Sequence, residues 1–148
     1  MRIVTLNTWG GRVFDPIREW ISKINADIYC LQEVFNSPHE GFYSDEVAGH
    51  RQGDPMIRVN FFEETQNILP SHHGVMIPQC KWQVENKFNQ QEQNPLCDLG
   101  IANFVREGIQ IDKSEQKFVY QEYRAVPQTE LPTPRVAHVV RLLHPSLS

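Results

Sequence analysis

Residues 3–34 read IVTLNTWGGRVFDPIREWISKINADIYCLQEV and carry the clearest fold signal in the chain. Residues 3–7 are compact and rich in β-branched side chains, which predicts a strand. Residues 28–34 have the same character and predict a second strand. The short connection between them predicts a right-handed crossover that leaves the two strands parallel. The carboxyl ends of both strands are therefore expected at one edge of a sheet.

The segment between these strands predicts a helix. Gly10 and Gly11 supply the flexible backbone that a tight exit from the first strand requires. Asp15 followed by Pro16 predicts the start of the helix, with Asp15 as N-cap and Pro16 as the first helical residue. Asn25 is expected to end it. The helix is expected to pack on the sheet through an apolar stripe at helical spacing, formed by Ile17, Trp20, Ile21 and Ile24.

The rest of the chain predicts one more helix and several strands. Asn60 begins a predicted short helix that ends at Leu69, before Pro70. The regions 35–60 and 70–97 are expected to supply the loops that choose a substrate, because Asn, Ser, Pro, Gly and Gln are dense in much of them. The final strand is apolar on both alternating faces, which predicts a buried strand with neighbours on each side. Strands are predicted over residues 101–105, 109–111, 118–124 and 135–143.

Length and composition set the class of protein. The 148 residues, 17.2 kDa, have the size of one domain, and 40% hydrophobic and 22% charged residues are typical of a globular chain. A net charge of -4 gives no general affinity for nucleic acid or anionic lipid. Three widely spaced cysteines suit a reducing compartment. No apolar run is long enough to predict a membrane span, and the apolar run at residues 3–6 is too short to predict a signal peptide. A cytoplasmic protein without a membrane span is expected.

Two oxygen-bearing side chains stand at the predicted strand ends. Asn7 ends the first strand and Glu33 lies near the end of the second, at the edge where open α/β sheets place their ligands. A carboxylate and an amide carbonyl suit Mg²⁺, Mn²⁺ or Ca²⁺ better than zinc. The alternative is that Asn7 caps the turn after its strand and Glu33 is a solvated strand end. Spacing alone leaves both interpretations open.

The segments LNTWGG at 6–11 and DIYCLQEV at 27–34 resemble the first two motifs of the endonuclease/exonuclease/phosphatase family. The resemblance implies a metal-dependent phosphoesterase built as a four-layer α/β/β/α sandwich, with Asn7 and Glu33 at its metal site and Mg²⁺ as cofactor. Trp9 stands where DNA-repair members often have Asp, so the sequence is more similar to the sphingomyelinase-type and uncharacterised bacterial branches. The segments at 98–108 and 135–143 are similar to later strands of the family.

The later motifs of that family have no counterpart in the sequence. It contains no Gly-Asp-x-Asn segment and no Ser-Asp-His segment, which in the family supply the groups that align the attacking water and contact the phosphate. We therefore expect residues 1–148 to be the N-terminal half of the domain, without a complete set of catalytic residues and inactive alone. The full-length parent is expected to hydrolyse a phosphate ester. The loops do not distinguish DNA, RNA, a lipid headgroup or a sugar phosphate.

Other chemistry-bearing residues give weaker signals. His72 and His73 are adjacent, so they point to opposite faces of an extended segment and cannot easily share a metal; a loop or surface role is expected. His138 lies within an apolar strand and is expected to be a hydrogen-bonded core histidine rather than a general base. Cys80 and Cys97 lack the paired spacing of a zinc site.

A different class of function is an interaction module. In that interpretation the chain is not catalytic, and the sheet face left open by a missing half is buried on a partner or on a second copy, because large exposed apolar faces rarely persist alone. A homodimer is the form of this alternative that a size measurement detects.

Overall fold

The protein is represented by a computed structural model. The structure describes residues 1–39, 42–43, 56–84, 96–120, 125–126 and 135–143. These residues form a mixed α+β fold in which strands predominate. In chain order, the elements are β1 (Ile3–Asn7), a 3₁₀ turn (Trp9–Gly11), α1 (Phe14–Ile24), β2 (Ile28–Asn36), β3 (Phe42–Tyr43), β4 (Ile57–Arg58), α2 (Phe61–Ile68), β5 (His72–Gln83), β6 (Leu96–Arg106), β7 (Gln110–Tyr120), β8 (Ala125–Val126) and β9 (Arg135–Leu143).

A five-stranded sheet in the order β1-β2-β6-β5-β8 forms the centre of the fold. β1 and β2 are parallel and α1 connects them, so the predicted β-α-β unit is confirmed. β6 runs antiparallel to both β2 and β5, whereas β8 is parallel to β5. β7 and β9 form a separate antiparallel ribbon, and β3 pairs with β4.

Both helices lie on one face of the five-stranded sheet. Tyr29 and Leu31 of β2 and Phe104 of β6 are fully buried there, in one cluster with residues of both helices. Phe14 of α1 meets Phe61 of α2 edge to face, with ring centroids 5.8 Å apart. Removal of these aromatic and aliphatic side chains from water is the main stabilising contribution to this half of the fold.

The opposite face of the sheet meets the β7–β9 ribbon. Asn103 lies between Ala102 and Phe104 of β6, so its side chain points away from the helices. Its Nδ2 lies 2.5 Å from Nδ1 of His138 in β9. The ribbon therefore reaches the sheet through a polar contact.

Gly100 in the central strand β6 faces an irregularity on each side. The register of β2 shifts between Gln32 and Val34, and that of β5 shifts between Pro78 and Cys80; both Val34 and Pro78 pair with Gly100. A Cβ at Gly100 would overlap the Ile77 carbonyl oxygen and lie 2.9 Å from the Pro78 Cα. Only glycine permits this close approach of β5.

The first helix differs from its prediction in two respects. It begins at Phe14, not at Pro16 with an Asp15 cap. Burial of Phe14 favours the earlier start, and Pro16 is tolerated because the first backbone N–H groups of a helix have no intrahelical partner. Trp20 is 39% exposed, so its assignment to the core was wrong. The buried face of α1 is formed by Phe14, Ile17 and Ile21, and Trp20 lies at the edge of this face. Asn25 ends the helix in a left-handed conformation, as predicted.

The strand predictions need three corrections. Residues 72–83, expected within a loop, form β5, whose alternating pattern includes the buried Cys80 and Trp82. β2 continues to Asn36, past the predicted start of a loop. The predicted strands at 109–111 and 118–124 are joined in the single strand β7, and residues 121–124 lie outside the described chain. Residues 37–39 form neither helix nor strand, as the loop prediction requires. Most of the other predicted loop residues lie outside the residues that the structure describes.

The last strand exists as predicted, but its two-sided burial was wrong. Val139 is 63% exposed and Leu143 is 45% exposed. Within the described chain, β9 pairs along one edge with β7 alone, so a ribbon of two strands shields only part of its apolar side chains. Across the part of the chain that the structure describes, neither helix has the length and apolar character needed to cross a membrane.

Candidate metal centre at the ends of two parallel strands

The structure brings Asn7 and Glu33 to neighbouring positions. Asn7 is the last residue of β1 and pairs in register with Gln32 of β2, so Glu33 is the next residue along the adjacent strand. Both side chains are exposed. The expected meeting of the two strand ends is therefore observed, whereas the role of the two residues as metal ligands stays a prediction.

A β-bulge displays Glu33. The pairing of β2 with β6 skips Glu33, whose φ is 55° in the left-handed region. A non-glycine residue adopts this conformation at a cost of about 1 kcal/mol or more. Such strain is found more often at functional sites than elsewhere, and here it removes Glu33 from the regular ladder of the sheet.

Thr8 holds the bulge from the neighbouring chain segment. Its backbone N–H donates to the Gln32 carbonyl oxygen at 2.9 Å. Its hydroxyl lies 2.9 Å from that same oxygen and 3.0 Å from the Glu33 carbonyl oxygen. Thr8 is fully buried, so these contacts are shielded from water. Thr8 is not among the residues predicted for the site; its position directly after Asn7 at a strand end was the available signal.

Asn7 also shapes the turn that follows it. Its Oδ1 accepts a hydrogen bond from the Trp9 backbone N–H at 2.8 Å. The alternative interpretation of Asn7 as a cap of this turn is therefore confirmed. This role does not exclude metal binding by the same oxygen. A carbonyl oxygen has two lone pairs, so this bond leaves Oδ1 able to accept from or coordinate a second group.

The Glu33 carboxylate contrasts with the carboxylate at the other end of the same strands. Asp27 is bonded to the Arg2 backbone N–H at 2.6 Å and to Arg106 Nε at 3.1 Å, and these contacts lower its pKa, the Arg2 bond most. Over residues 1–39, 56–84 and the other described segments, the Glu33 carboxylate has no hydrogen-bond or ion-pair partner. At one end of the strand pair, the Asp27 carboxylate is bonded to Arg2 and Arg106. At the other end, the Glu33 carboxylate has no such partner among the described residues.

The donor set fits a hard divalent cation. Magnesium is commonly held by one or two carboxylates together with water and substrate phosphates. Glu33 offers such a carboxylate, and Asn7, at the end of the adjacent strand, offers an amide oxygen. Within the described segments, no three His, Cys, Asp or Glu side chains cluster in a way that could hold an ion.

The turn after Asn7 is rigid and carries an exposed indole. Trp9, Gly10 and Gly11 have φ of 49°, 63° and 71°. A Cβ at Gly11 would lie 2.7 Å from the Arg58 Cβ and 2.8 Å from Phe61 Cδ2. The two glycines are therefore required by close packing, and they fix the backbone of Trp9, which is 45% exposed.

The paired histidines lie at the start of β5, away from these strand ends. His72 is buried, and its Nε2 lies 2.9 Å from the Ala26 carbonyl oxygen. Its ring also packs against Tyr29 at a centroid distance of 5.5 Å. The expected loop or surface role is wrong for His72, whereas His73 is exposed. Their opposite orientation in a strand explains why they do not form a metal site together.

His138 is hydrogen-bonded on both ring nitrogens, as predicted, but it is only partly buried, so its assignment to the core was wrong. Asn103 Nδ2 donates to Nδ1, so Nε2 of the neutral ring carries the proton and donates to Ser114 Oγ at 2.7 Å. In this arrangement the ring does not accept the Ser114 hydroxyl proton. Burial lowers the pKa of His138. These contacts describe a structural link, not a nucleophile with its base.

The cysteines are free thiols, and the two with shifted pKa values are poor nucleophiles. Burial is the main cause that raises the pKa of both Cys30 and Cys97. Cys80 is fully buried. A raised pKa reduces the fraction of reactive thiolate at neutral pH. Cysteine chemistry is therefore not supported at these positions.

A groove of about 700 Å³ lies between α1 and α2. It is on the helical side of the fold, and neither Asn7 nor Glu33 lines it. Arg58 and Glu64 form an ion pair within its lining. The groove is open and offers mixed charges without an unpaired buried polar group, so the strand ends remain the stronger candidate site.

Comparison of the chain with protein-family models, with characterised proteins and with solved structures finds no match.

Proposed function

We propose that this chain carries the metal-binding part of a phosphoester hydrolase site, with Asn7 and Glu33 holding Mg²⁺ or, in its place, Mn²⁺ or Ca²⁺. The observation that supports this most is the strained bulge that exposes the Glu33 carboxylate beside Asn7 at the ends of two parallel strands. The resemblance of residues 6–11 and 27–34 to the endonuclease/exonuclease/phosphatase family suggests the same two ligands.

The chain's own residues have distinct tasks in this proposal. Glu33 supplies negative charge and Asn7 supplies a neutral oxygen, while Thr8 holds the bulge and so fixes the spacing of the two donors. A divalent cation held there would neutralise phosphate charge as the ester bond breaks. A phosphate ester is the substrate class, because phosphate oxygens complete the coordination of such an open site.

In the same proposal, the chain supplies only part of the catalytic machinery. Phosphoryl transfer needs groups that place a water in line with the leaving oxygen, in addition to charge neutralisation. No Gly-Asp-x-Asn or Ser-Asp-His segment is present in the sequence to provide them. We therefore propose that residues 1–148 alone do not turn over phosphate esters.

A manganese titration tests the metal site directly. Mn²⁺ remains visible by electron paramagnetic resonance when free, and bound Mn²⁺ broadens the amide signals of nearby residues. We expect broadening around Asn7, Thr8 and Glu33. Glu33→Gln keeps the size of the side chain and removes its charge, so we expect the Kd for Mn²⁺ to rise at least about tenfold, the loss that even an outer-shell partner causes.

Glu107→Gln is the matched control. Glu107 is also an exposed glutamate, in the turn after β6, and that turn lies at the other end of the sheet from Glu33. This substitution should leave the Kd for Mn²⁺ unchanged. Equal Mn²⁺ affinity in the original chain and in Glu33→Gln, or broadening centred on other residues, would contradict the proposed site.

Exposed apolar residues on β9 favour a second candidate function, the interaction module. Val139 and Leu143 are separated by even steps along the strand and lie on the same side, where both are substantially exposed. A homodimer that covers them would bury this side. Light scattering after size exclusion distinguishes the candidates: a dimer that Val139→Lys converts to a monomer supports the module, whereas a monomer at all concentrations contradicts it.

A further inference from the structure

Trp9 is placed beside the candidate metal centre in an unusual way. It lies two residues after Asn7, and its backbone N–H is bonded to the Asn7 side chain at 2.8 Å. Its indole is 45% exposed. An exposed tryptophan near oxygen donors differs from the other two tryptophans: Trp20 lies on the outer rim of α1, and Trp82 is buried.

The backbone conformation at Trp9 is costly for a bulky residue. Its φ is 49°, and the two residues that follow it are also left-handed. Glycine or asparagine would adopt this conformation with less strain. Since almost half of the side chain remains in water, core packing does not account for a tryptophan here. A ligand that covers the indole would account for it.

The indole is held in place on one side. The Arg12 guanidinium carbon lies 5.5 Å from the centroid of the Trp9 ring, within the range of a cation–π contact, and Arg12 itself is only 8% exposed. Buried Gly10 and Gly11 fix the backbone beneath it. Trp9 is therefore a preorganised flat surface, which reduces the entropy that a stacking ligand must overcome.

The contact with Arg12 also selects the chemistry of that ligand. The Arg12 guanidinium already interacts with the negative face of the ring. A second cation on the ring, such as a quaternary ammonium group, would be repelled by the charge of Arg12. A neutral flat ring stacks without this penalty, and every nucleobase has such a face. The electrostatics favour a nucleobase over a choline-type headgroup.

We propose that Trp9 is the stacking surface for the base of a nucleotide whose phosphate would bind through the divalent cation held by Asn7 and Glu33. This inference rests on the proposed function, because it names the substrate class of the same site. Trp9 does not touch the bond that breaks; it positions the substrate. The loss of one base-stacking contact corresponds to a change in Kd of about tenfold.

The test measures binding of three phosphate esters in the presence of Ca²⁺: adenosine 5′-monophosphate, ribose 5-phosphate and phosphocholine. Isothermal titration gives each Kd, and the indole N–H signals of the protein report which tryptophan is contacted. The variants are Trp9→Ala, Trp9→Phe and, as matched control, Trp20→Ala, which removes a similarly exposed tryptophan from α1. Circular dichroism checks that each variant is folded.

We expect adenosine 5′-monophosphate to bind about tenfold more tightly than ribose 5-phosphate, and Trp9→Ala to abolish this difference. Trp9→Phe keeps a smaller ring, so its preference for the nucleotide should lie between those of the original chain and Trp9→Ala. An intermediate preference would not be expected from a simple folding defect. Trp20→Ala should change nothing. The Trp9 indole signal should shift with the nucleotide and stay in place with the sugar phosphate.

Other outcomes overturn the inference. Equal affinity for the nucleotide and the sugar phosphate, or no binding of either, contradicts base stacking. Preferential binding of phosphocholine through Trp9 contradicts the choice of a nucleobase. The manganese titration of Glu33→Gln is independent of Trp9, so a metal site that survives while stacking fails refutes this inference alone. Loss of both results refutes the proposed function as well.

Discussion

The β1–β2 end of the sheet and the β7–β9 ribbon hold their polar groups by different means. At the sheet end, buried Thr8 and two buried glycines fix the backbone, and Asn7 and Glu33 are exposed to water. In the ribbon, Ser114 and Val139 are exposed, and His138 provides a hydrogen-bonded link to the sheet. The buried residues at the sheet end can support a strained backbone and an exposed carboxylate. The attachment of the exposed ribbon to the sheet, in contrast, depends on a few side chains. The predictions below test this difference.

The largest effect is expected at Gly100. Gly100→Ala places a Cβ against the Ile77 carbonyl and the Pro78 Cα, which lies 2.9 Å from the ideal position. The two bulges that meet at this residue must then open. We expect the free energy of unfolding, measured by urea denaturation, to fall by about 3–5 kcal/mol.

Gly108→Ala is the ribbon counterpart of that substitution. Gly108 has a φ of 88° at the turn into β7, and a Cβ there would meet no atom within 4 Å. Only backbone strain remains, with an expected cost of about 1–2 kcal/mol. Equal losses of stability in the two variants would show that the crowded strand contact at Gly100 does not distinguish the sheet from the ribbon.

Removal of one hydroxyl from the five-stranded sheet and one from the ribbon gives the next effect. The Tyr29 hydroxyl is buried, accepts from the Ala26 backbone N–H at 3.1 Å and donates to the Ile21 carbonyl at 3.0 Å. Tyr29→Phe leaves both groups without this partner, so we expect a loss of about 1–2 kcal/mol in urea denaturation. Ser114→Ala removes an exposed hydroxyl from the ribbon and should change stability by less than about 0.5 kcal/mol.

A larger loss from Ser114→Ala than from Tyr29→Phe would reverse the ranking of the two regions. Both variants preserve the rest of the contacting surface, so the result would be attributable to the hydrogen bonds. Far-UV circular dichroism of the folded variants provides the necessary check that neither change rearranges the strands.

The first 34 residues were informative because local signals and tertiary structure agree there. Strand 3–7, strand 28–34 and the helix between them each depend on short-range patterns, and their short connections fix the topology. The same logic placed Asn7 and Glu33 at one edge. The bulge at Glu33 could not be predicted from local sequence patterns. It depends on the pairing of β2 with β6 near Gly100, which is a contact between residues distant in sequence.

Long-range pairing also explains the errors. His72 and the rest of β5 lie in a region predicted as a loop, and the segment contains Gly74 and Pro78, which interrupt a strand pattern. Pairing along eleven residues of β6 overrides these local signals, and the bulge after Pro78 accommodates the missing N–H. The exposed Val139 shows the converse: an apolar pattern predicts burial only where a neighbouring layer exists to provide it.

A smaller effect that still tests the sheet end is expected from Thr8→Val. This change keeps the branched shape of the side chain and removes the hydroxyl that contacts the Gln32 and Glu33 carbonyl oxygens. We expect a stability loss of about 1 kcal/mol, because the backbone bond from Thr8 to Gln32 persists. The Kd for Mn²⁺ should rise as well, since Glu33 is less firmly held.

Thr5→Val is the control for Thr8→Val. The Thr5 hydroxyl is exposed and accepts a bond from the Gln32 side chain at 3.0 Å, without contacting either bulge carbonyl. It should leave Mn²⁺ binding unchanged. If Thr8→Val loses stability but binds Mn²⁺ normally, the hydroxyl contributes to folding and not to the position of Glu33.

The smallest effect concerns the link between ribbon and sheet. Burial holds the pKa of His138 below its usual value, so the folded chain favours the neutral ring. As pH falls through about 6.5, the unfolded chain takes up this proton before the folded chain does, and the free energy of unfolding decreases. The decrease stops once the pH is below the folded-state pKa. Protonation at Nδ1 would also remove the acceptor that Asn103 uses.

His138→Gln removes this titration and retains an oxygen that can accept from Asn103. We expect the decline in unfolding free energy between about pH 7 and pH 5 to become shallower than in the original chain. A ring titration of His138 at or above the usual pKa, followed by NMR, would contradict a neutral link; the attachment of the ribbon would then have to depend on contacts that do not involve this histidine.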